Sequence, residues 1–330
     1  MIRVAVVGAG GIALSHLNGY KELENTELVA VCDIQGEAAS RYALATEMGA
    51  RFYTDIDEML ENEKLDMLDV CTPTPIHAEM VKKGFAKGLH VLSEKPMCRT
   101  SGECEELIGL AKECGRCYMV AHVVRFMAPY RYLRSVIESG ELGRPVHIFM
   151  RRLSTVPRWS YNDWMMDPAQ SGGAPLDLSI HDIDFVYSVF GEPREVSAVY
   201  RKFEGKDSLG CNDYISSELV YDGFTASIIG AQYYADIPFT AEFLAVFENG
   251  TVELRGGKLY RSGAEIDPGV KEEKGEDTGI NISSSSAYTD EIAYFIGCIE
   301  RGEKPSFVTP ESSMGSVRLV ERILKSAIRI

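Results

Sequence analysis

Four apolar runs of similar length dominate the first third of the chain: "RVAVVG" (3–8), "ELVAVCD" (27–33), "LDMLDVCT" (65–72) and "HVLSE" (90–94), each separated from the next by a stretch with helical patterning. Strands that are apolar on both faces and alternate with helices must be covered on both sides, and that arrangement is a parallel sheet. Helices are expected at 13–23, 36–48, 56–62, 75–87 and 100–114, with further strands at 51–55 and 117–121. After His122 the pattern changes. A helix at 129–138 leads through "GELGRP" into a strand at 146–154, and an irregular aromatic segment precedes a helix at 175–190. Longer strands follow at 195–203, 214–221, 224–231, 240–247 and 250–254; many alternate apolar and polar residues, as in an antiparallel sheet with one face on a core. Residues 262–286 read as a solvent loop, and two helices close the chain, the second with Thr309 as N-cap and Pro310 at its first position. The expected architecture is α/β followed by α+β: a doubly wound domain over 1–121, and over 122–330 a second domain built on a large, mainly antiparallel open sheet.

The chain has 330 residues and a net charge of −15, which opposes nonspecific attraction to nucleic acid or to an anionic membrane. No apolar run is long enough to span a bilayer. The start "MIRVAVVGAGG" enters a strand directly, without the pattern of a signal peptide, so a cytoplasmic location is the expectation. Eight cysteines in a chain of this length do not make a disulfide scaffold. The Cys-x-x-Cys of "ECGRC" (113–117) stands at the C-terminal end of a helix, the wrong end for a dipole-activated thiol, and reads as structural. No metal site is expected, for no third histidine or cysteine matches the spacing of a ligand set.

The first strand is followed by Gly8-x-Gly10-x-x-Ala13. Gly8 permits a tight turn, Gly10 lets backbone approach a pyrophosphate, and Ala13 lets helix and strand pack closely; Gly11, Ile12 and Ala13 open the helix whose N–H groups face the phosphates. Asp33 ends the second strand, 20 residues after Ala13, where a carboxylate accepts hydrogen bonds from both adenosine ribose hydroxyls and repels a 2′-phosphate. NAD is therefore favoured over NADP, with Ile34 beside the acid. Thr72, Pro73 and His77 of "CTPTPIHAEM" lie at the same carboxyl edge of the sheet. One strand further along, "SEKPM" places Glu94 and Lys95 before Pro96, and the proline confines Lys95 to extended geometry.

The second cluster is "SGGAPLDLSIHDIDFV" (171–186). Asp177 and His181 are four apart, so on a helix they share a face, and a carboxylate beside an imidazole fixes its tautomer for proton uptake. Asp184 extends the polar stripe. Arginines 125, 151, 152 and 158, with Asn162 and Asp163, are candidates for contacts to hydroxyls, Arg125 foremost, and Trp159, Tyr161 and Trp164 for stacking on an apolar sugar face.

Taken together, "GAGGIA", "CTPTPIHAEM", "SEKPM" and "GGAPLDLSIHDID" resemble, in order and spacing, the glucose–fructose oxidoreductase and inositol dehydrogenase (Gfo/Idh/MocA) family, over essentially the whole chain. The resemblance implies a Rossmann domain binding NAD and a second domain that binds a polyhydroxylated substrate and mediates a homodimer or homotetramer. It implies catalytic roles for Lys95, Asp177 and His181, and places Trp164 near the nicotinamide. Many relatives carry arginine after that aromatic, where this chain has Met165. The leading expectation is an NAD-dependent dehydrogenase of a sugar or cyclitol, myo-inositol first among them. A glycosidase that oxidises and re-reduces its substrate, and an NAD-sensing protein on the same fold, are the alternatives.

Overall fold

The computed structural model describes residues 1–36, 41–202, 213–267 and 285–330. The chain begins with β1 (Ile2–Val7), α1 (Ala13–Glu22), β2 (Thr26–Cys32), α2 (Tyr42–Glu47), β3 (Arg51–Tyr53), α3 (Ile56–Asn62) and β4 (Met67–Val70). It continues with α4 (His77–Ala86), β5 (His90–Glu94), α5 (Ser101–Glu113) and β6 (Tyr118–Ala121). The six strands form one all-parallel sheet in the order β3-β2-β1-β4-β5-β6. All four residues of β4 and the last four of β1 and β5 are buried, as strands covered on both faces require. Strand order reverses between β1 and β4, and at such a switch point a crevice opens beyond the carboxyl ends of the strands.

The second part contains α6 (Ala128–Ser139), β7 (Pro145–Thr155), α7 (Pro168–Ser171), α8 (Ile180–Phe190), β8 (Glu195–Lys202), β9 (Asp213–Val220) and β10 (Thr225–Tyr233). After these come β11 (Thr240–Phe247), β12 (Gly250–Arg255), β13 (Lys258–Arg261), β14 (Ala264–Ile266), α9 (Ser285–Arg301), α10 (Pro310–Ser326) and β15 (Ala327–Arg329). Nine strands make a mixed sheet in the order β14-β13-β12-β11-β7-β10-β9-β8-β15. Among the described residues of this sheet, only β7–β10 and β8–β15 pair in parallel. Strand β9 alternates strictly between buried and half-buried positions, so one face carries the core and α8 packs there against β7 and β10.

Among the described residues one compact unit takes 1–123 and 285–314, and the other takes 124–267 and 315–330. The expected division assigned everything after residue 121 to the second domain, whereas α9 returns to the first. Its side chains are made for α1: Ile292 lies 2.8 Å from where a Cβ on Gly19 would stand, and the Tyr288 ring is 5.8 Å from that of His16. Other expectations shift locally. The helix expected at 36–48 is described only from Tyr42, with 37–40 outside the described residues. The segment expected as a loop from 262 includes β14, its residues 268–284 lying outside the described residues. Among the described residues no helix is long and apolar enough to cross a membrane.

Two buried ion pairs hold the second unit. Arg125, 2% exposed, grips Asp184 in a fork, Nε to Oδ2 at 2.7 Å and a terminal nitrogen to Oδ1 at 2.6 Å, and the Ser316 hydroxyl donates to the same carboxylate at 2.8 Å. Arg152 pairs with Asp182 at 2.8 Å, with the Tyr130 hydroxyl beside both. Arg125, the first candidate for a substrate or cofactor contact, and Asp184, the end of the polar stripe, thus bond to each other in the interior, where the guanidinium neutralises the carboxylate. Removing one partner strands the other charge without water. Asp184→Asn is therefore expected to lower stability by about 3–5 kcal/mol in urea unfolding; a loss below about 1 kcal/mol, typical of a surface site, would contradict the structural role.

Candidate functional site

In the first unit the expected residues gather at the carboxyl ends of β1, β2, β4 and β5. Gly8 has φ +92°, and a Cβ there would lie 2.6 Å from the Cys71 carbonyl oxygen, so only glycine lets the turn after β1 pass the end of β4. A Cβ on Gly10 would meet nothing within 4 Å, so the backbone faces open space there. Helix α1 begins with neither a side-chain cap nor an acidic residue in its first turn, leaving its amide dipoles to an anionic ligand. Asp33 directs its carboxylate back onto this turn, accepting from the Ala9 N–H at 2.8 Å through Oδ2 and from the Gln35 N–H at 2.8 Å through Oδ1. A carboxylate has about four lone-pair positions, so two backbone bonds orient it and leave capacity for ribose hydroxyls. Ile34 beside it is 78% exposed, an apolar surface next to the acid. Across the edge, the Thr72 hydroxyl is buried without a hydrogen-bond partner among the described residues. An open glycine cradle, an oriented acid and an orphaned hydroxyl suit a dinucleotide, which the turn at residues 8–13, Asp33 with Ile34, and Thr72 with Pro73 could hold.

His77 stands at the same edge, between the loops that follow β4 and β5. It is 1% exposed, and its Nδ1 meets the Pro96 carbonyl at 2.9 Å while Nε2 meets the Thr72 carbonyl at 2.8 Å. Burial pulls its pKa below the ordinary imidazole value, against the two carbonyls, which favour the charged ring. It ties the loop after β4 to the loop after β5, with both nitrogens engaged by protein. Lys95 is half-buried, its peptide bond to Pro96 is cis, and its backbone N–H donates to Oε2 of Glu94 at 3.0 Å.

In the second unit, Asp177 and His181 are 7% and 3% exposed. The helix expected from 175 to 190 opens with a wider turn, the Ser179 N–H donating to the Ala174 carbonyl five residues back at 2.7 Å. Such turns concentrate at functional sites, and this one carries Asp177, with His181 in the first turn of α8. The glycines before it have left-handed backbone, Gly172 at φ +84° and Gly173 at φ +66°, and a Cβ on Gly173 would collide with the Asp213 carboxylate. A Cβ on Gly230 of β10 would likewise run into the Ser179 hydroxyl, so glycine lets the turn seat on the sheet. Gln232 donates to Asp177 Oδ2 at 3.3 Å.

Asp213 was not foreseen. It is fully buried at the start of β9, accepts the Ala174 N–H at 3.1 and 3.2 Å and the Tyr200 hydroxyl at 3.1 Å, and so caps the turn that holds Asp177. Its only sequence signal is an acid at the buried end of an alternating strand. Trp159 and Tyr161 are 55% and 48% exposed, Trp164 is half-buried, and Met165 is buried. Between them Asn162 and Asp163 adopt left-handed backbone at φ 49° and 53°, a strained conformation of the kind that clusters at ligand-binding segments.

Comparison with known proteins follows the same division. Residues 2–122 match the model of the oxidoreductase family with an NAD-binding Rossmann fold, GFO/IDH/MocA, and residues 130–253 match the GFO/IDH/MocA C-terminal domain. The chain belongs to this family. It is an NAD-dependent oxidoreductase, and its N-terminal unit is the family's NAD-binding domain. It is 27% identical over 61% of its length to the uncharacterized oxidoreductase YrbE of Bacillus subtilis, a match spanning 57% of that protein. It is 25% identical over 99% of its length to 1,5-anhydro-D-fructose reductase of Ensifer adhaerens, spanning 96% of that protein. The solved structure of myo-inositol 2-dehydrogenase from Lactobacillus plantarum shares the fold, with TM-score 0.80 and 21% identity over 99% of this chain and 97% of that one.

Burial pushes the Asp213 carboxyl up to about 6, against the bonds from Ala174 and Tyr200. The folded state thus holds this proton more tightly than the unfolded chain, so its contribution to stability is present below about pH 4 and is lost as pH rises through about 6. Asp213→Asn is expected to remove a decline on the order of 3 kcal/mol between those limits. Urea unfolding of both proteins at the two ends of the window checks this, and parallel pH profiles would contradict it.

Proposed function

We propose that this protein oxidises a secondary hydroxyl of a sugar or cyclitol with NAD, myo-inositol being the leading candidate. The carrying observation is the buried Asp177–His181 segment, held on a widened turn by two left-handed glycines and a capping carboxylate, in a chain whose other unit is an NAD-binding domain. His181 is assigned the hydroxyl proton as general base, with Asp177 stabilising the imidazolium that results. Lys95 is assigned the alkoxide charge that develops as the proton leaves, its ammonium acting as a fixed positive partner. NAD, when bound, supplies the hydride acceptor at its nicotinamide C4.

The substrate class is supported by the names of the relatives, a reductase of an anhydro sugar and a dehydrogenase of an inositol, and by the exposed Trp159 and Tyr161 with the strained Asn162–Asp163 between them and Trp164. Trp159 is assigned a substrate contact and Trp164 a place beside the nicotinamide. Met165, where many relatives carry arginine, removes one cation from the polar contacts a charged substrate needs and favours a neutral polyol. The nine-stranded sheet supports self-association as a dimer or tetramer, because the outward positions of β9 are only half-buried within the chain.

NADH formation with purified protein, NAD and a panel of inositols, hexoses and pentoses at mildly alkaline pH tests the reading. A polyol should give NADH, and His181→Ala and Lys95→Ala should each lower kcat by about 10²–10⁴-fold while NAD affinity stays within about threefold. Wild-type kcat in Lys95→Ala would remove that lysine from the chemistry, and silence across the panel with NAD bound would refute the substrate class.

A further inference from the structure

Beneath the carboxyl edge of the first unit lies a chain of polar side chains that the reaction outlined above does not use. His16 of α1 is fully buried, with Nδ1 2.7 Å from Asp69 Oδ2 and Nε2 3.0 Å from Glu94 Oε1. Asp69 is fully buried in β4 and also accepts from the Tyr20 hydroxyl at 2.8 Å. Glu94, 6% exposed at the end of β5, uses its other oxygen, Oε2, to accept the backbone N–H of Lys95 at 3.0 Å.

Both ring nitrogens of His16 face carboxylate oxygens, which only accept. Two ionised carboxylates against the two nitrogens favour a proton on each, that is, an imidazolium. Burial works against that charge, but the Asp69 carboxylate overrides it and holds the pKa well above the ordinary value; Glu94 is held low, burial being outweighed by His16 and then by Lys95. Asp69 of β4, Cys71 just after that strand, Glu94 of β5 and Tyr288 of α9 face the ring, while Tyr20 of α1 bonds to Asp69 and Glu291 of α9 acts on Tyr20 and Tyr288. The donor atoms of His16, Asp69 and Cys71 lie within 4.8 Å of one another, but direct nitrogen–oxygen contact at 2.7 Å fills the space an ion between them needs.

We propose that His16 is a positioning residue for Lys95: anchored by Asp69, it locks Glu94, and the second oxygen of Glu94 fixes the Lys95 backbone N–H. The inference rests on the role given to Lys95 above and extends it to a residue buried in the sheet–helix interface. His77 works from the other side, holding the Pro96 carbonyl at 2.9 Å. The lysine peptide is thus braced on both flanks, on one by a carboxylate that His16 orients and on the other by a histidine tied to the loop after β4.

Two substitutions separate bracing from mere support of the fold. A glutamine amide reaches the place of imidazole Nε2, so His16→Gln keeps the bond to Glu94 and gives up Asp69. An asparagine amide reaches the place of Nδ1, so His16→Asn keeps Asp69 and gives up Glu94. Each leaves one buried carboxylate short of a partner, and both should lower the melting temperature to a similar degree. The first readout needs no turnover: exchange of the Lys95 amide proton, followed by hydrogen–deuterium mass spectrometry with residue-level fragmentation. It should quicken about tenfold or more in His16→Asn and stay within about threefold of wild type in His16→Gln. The second is kcat on the polyol that gives NADH, expected to fall about tenfold in His16→Asn and much less in His16→Gln, with NAD affinity unchanged in both.

Equal exchange and equal kcat in the two variants would overturn the proposal. Should neither variant fold, Glu94→Ala in the wild-type background serves, because it removes the oxygen that accepts the Lys95 N–H; unchanged exchange at Lys95 there would equally overturn the brace. If Lys95→Ala keeps wild-type kcat, the catalytic reading of the lysine fails while the exchange experiment still decides whether His16 fixes its backbone.

Discussion

A parallel sheet buried on both faces leaves charged groups only two stable situations: neutralised inside, or placed at the strand ends. The first unit uses both. Asp69 and Glu94 stand on neighbouring strands, and the imidazolium of His16 between them turns what is otherwise a pair of buried carboxylates into a bonded row. Breaking either contact leaves an anion without water or partner, the situation that makes buried charges expensive to disturb. At the strand ends the same sheet presents Gly8, Asp33, Thr72 and Lys95 along one edge, because β2, β1, β4 and β5 are neighbours and run in one direction. The interior row and the edge are joined at Glu94, whose two oxygens belong one to each.

The second unit solves the problem differently. Its acids at 182 and 184 point into a helix–sheet core and are matched by Arg152 and Arg125. Asp177, one widened turn earlier, takes a bond from the amide of Gln232, and the turn itself is capped by Asp213. A carboxylate clasped by arginine has its charge consumed by the fold.

Much of this was legible in the residues. Continuous apolar strands and the Gly8-x-Gly10-x-x-Ala13 turn lead to the parallel sheet and the place of Asp33, since these depend on local patterning. The Asp177–His181 spacing found the turn but not its width, which depends on where Ser179 meets Gly230 across the chain. The partner of Arg125 was not legible, because a sequence shows the cation but not the carboxylate 59 residues on that it meets. His77 and His16 were hidden for the same reason: each is defined by partners on other strands, Thr72 and Pro96 for one, Asp69 and Glu94 for the other. The return of α9 to the first unit was equally invisible, since an amphipathic helix does not announce which face it will meet. Asp69 did carry a hint, an acid in the middle of an otherwise apolar strand, which is unfavourable unless something buried answers it.

We infer that the carboxyl edge of the six-stranded sheet binds NAD, with Asp33 selecting it over NADP. Calorimetric titration of the protein with NAD and, separately, with NADP under the same conditions tests this. NAD should bind at least about tenfold more tightly, because the Asp33 carboxylate is held in place by Ala9 and Gln35 and meets a 2′-phosphate with like charge. Equal affinities, or tighter binding of NADP, would contradict it.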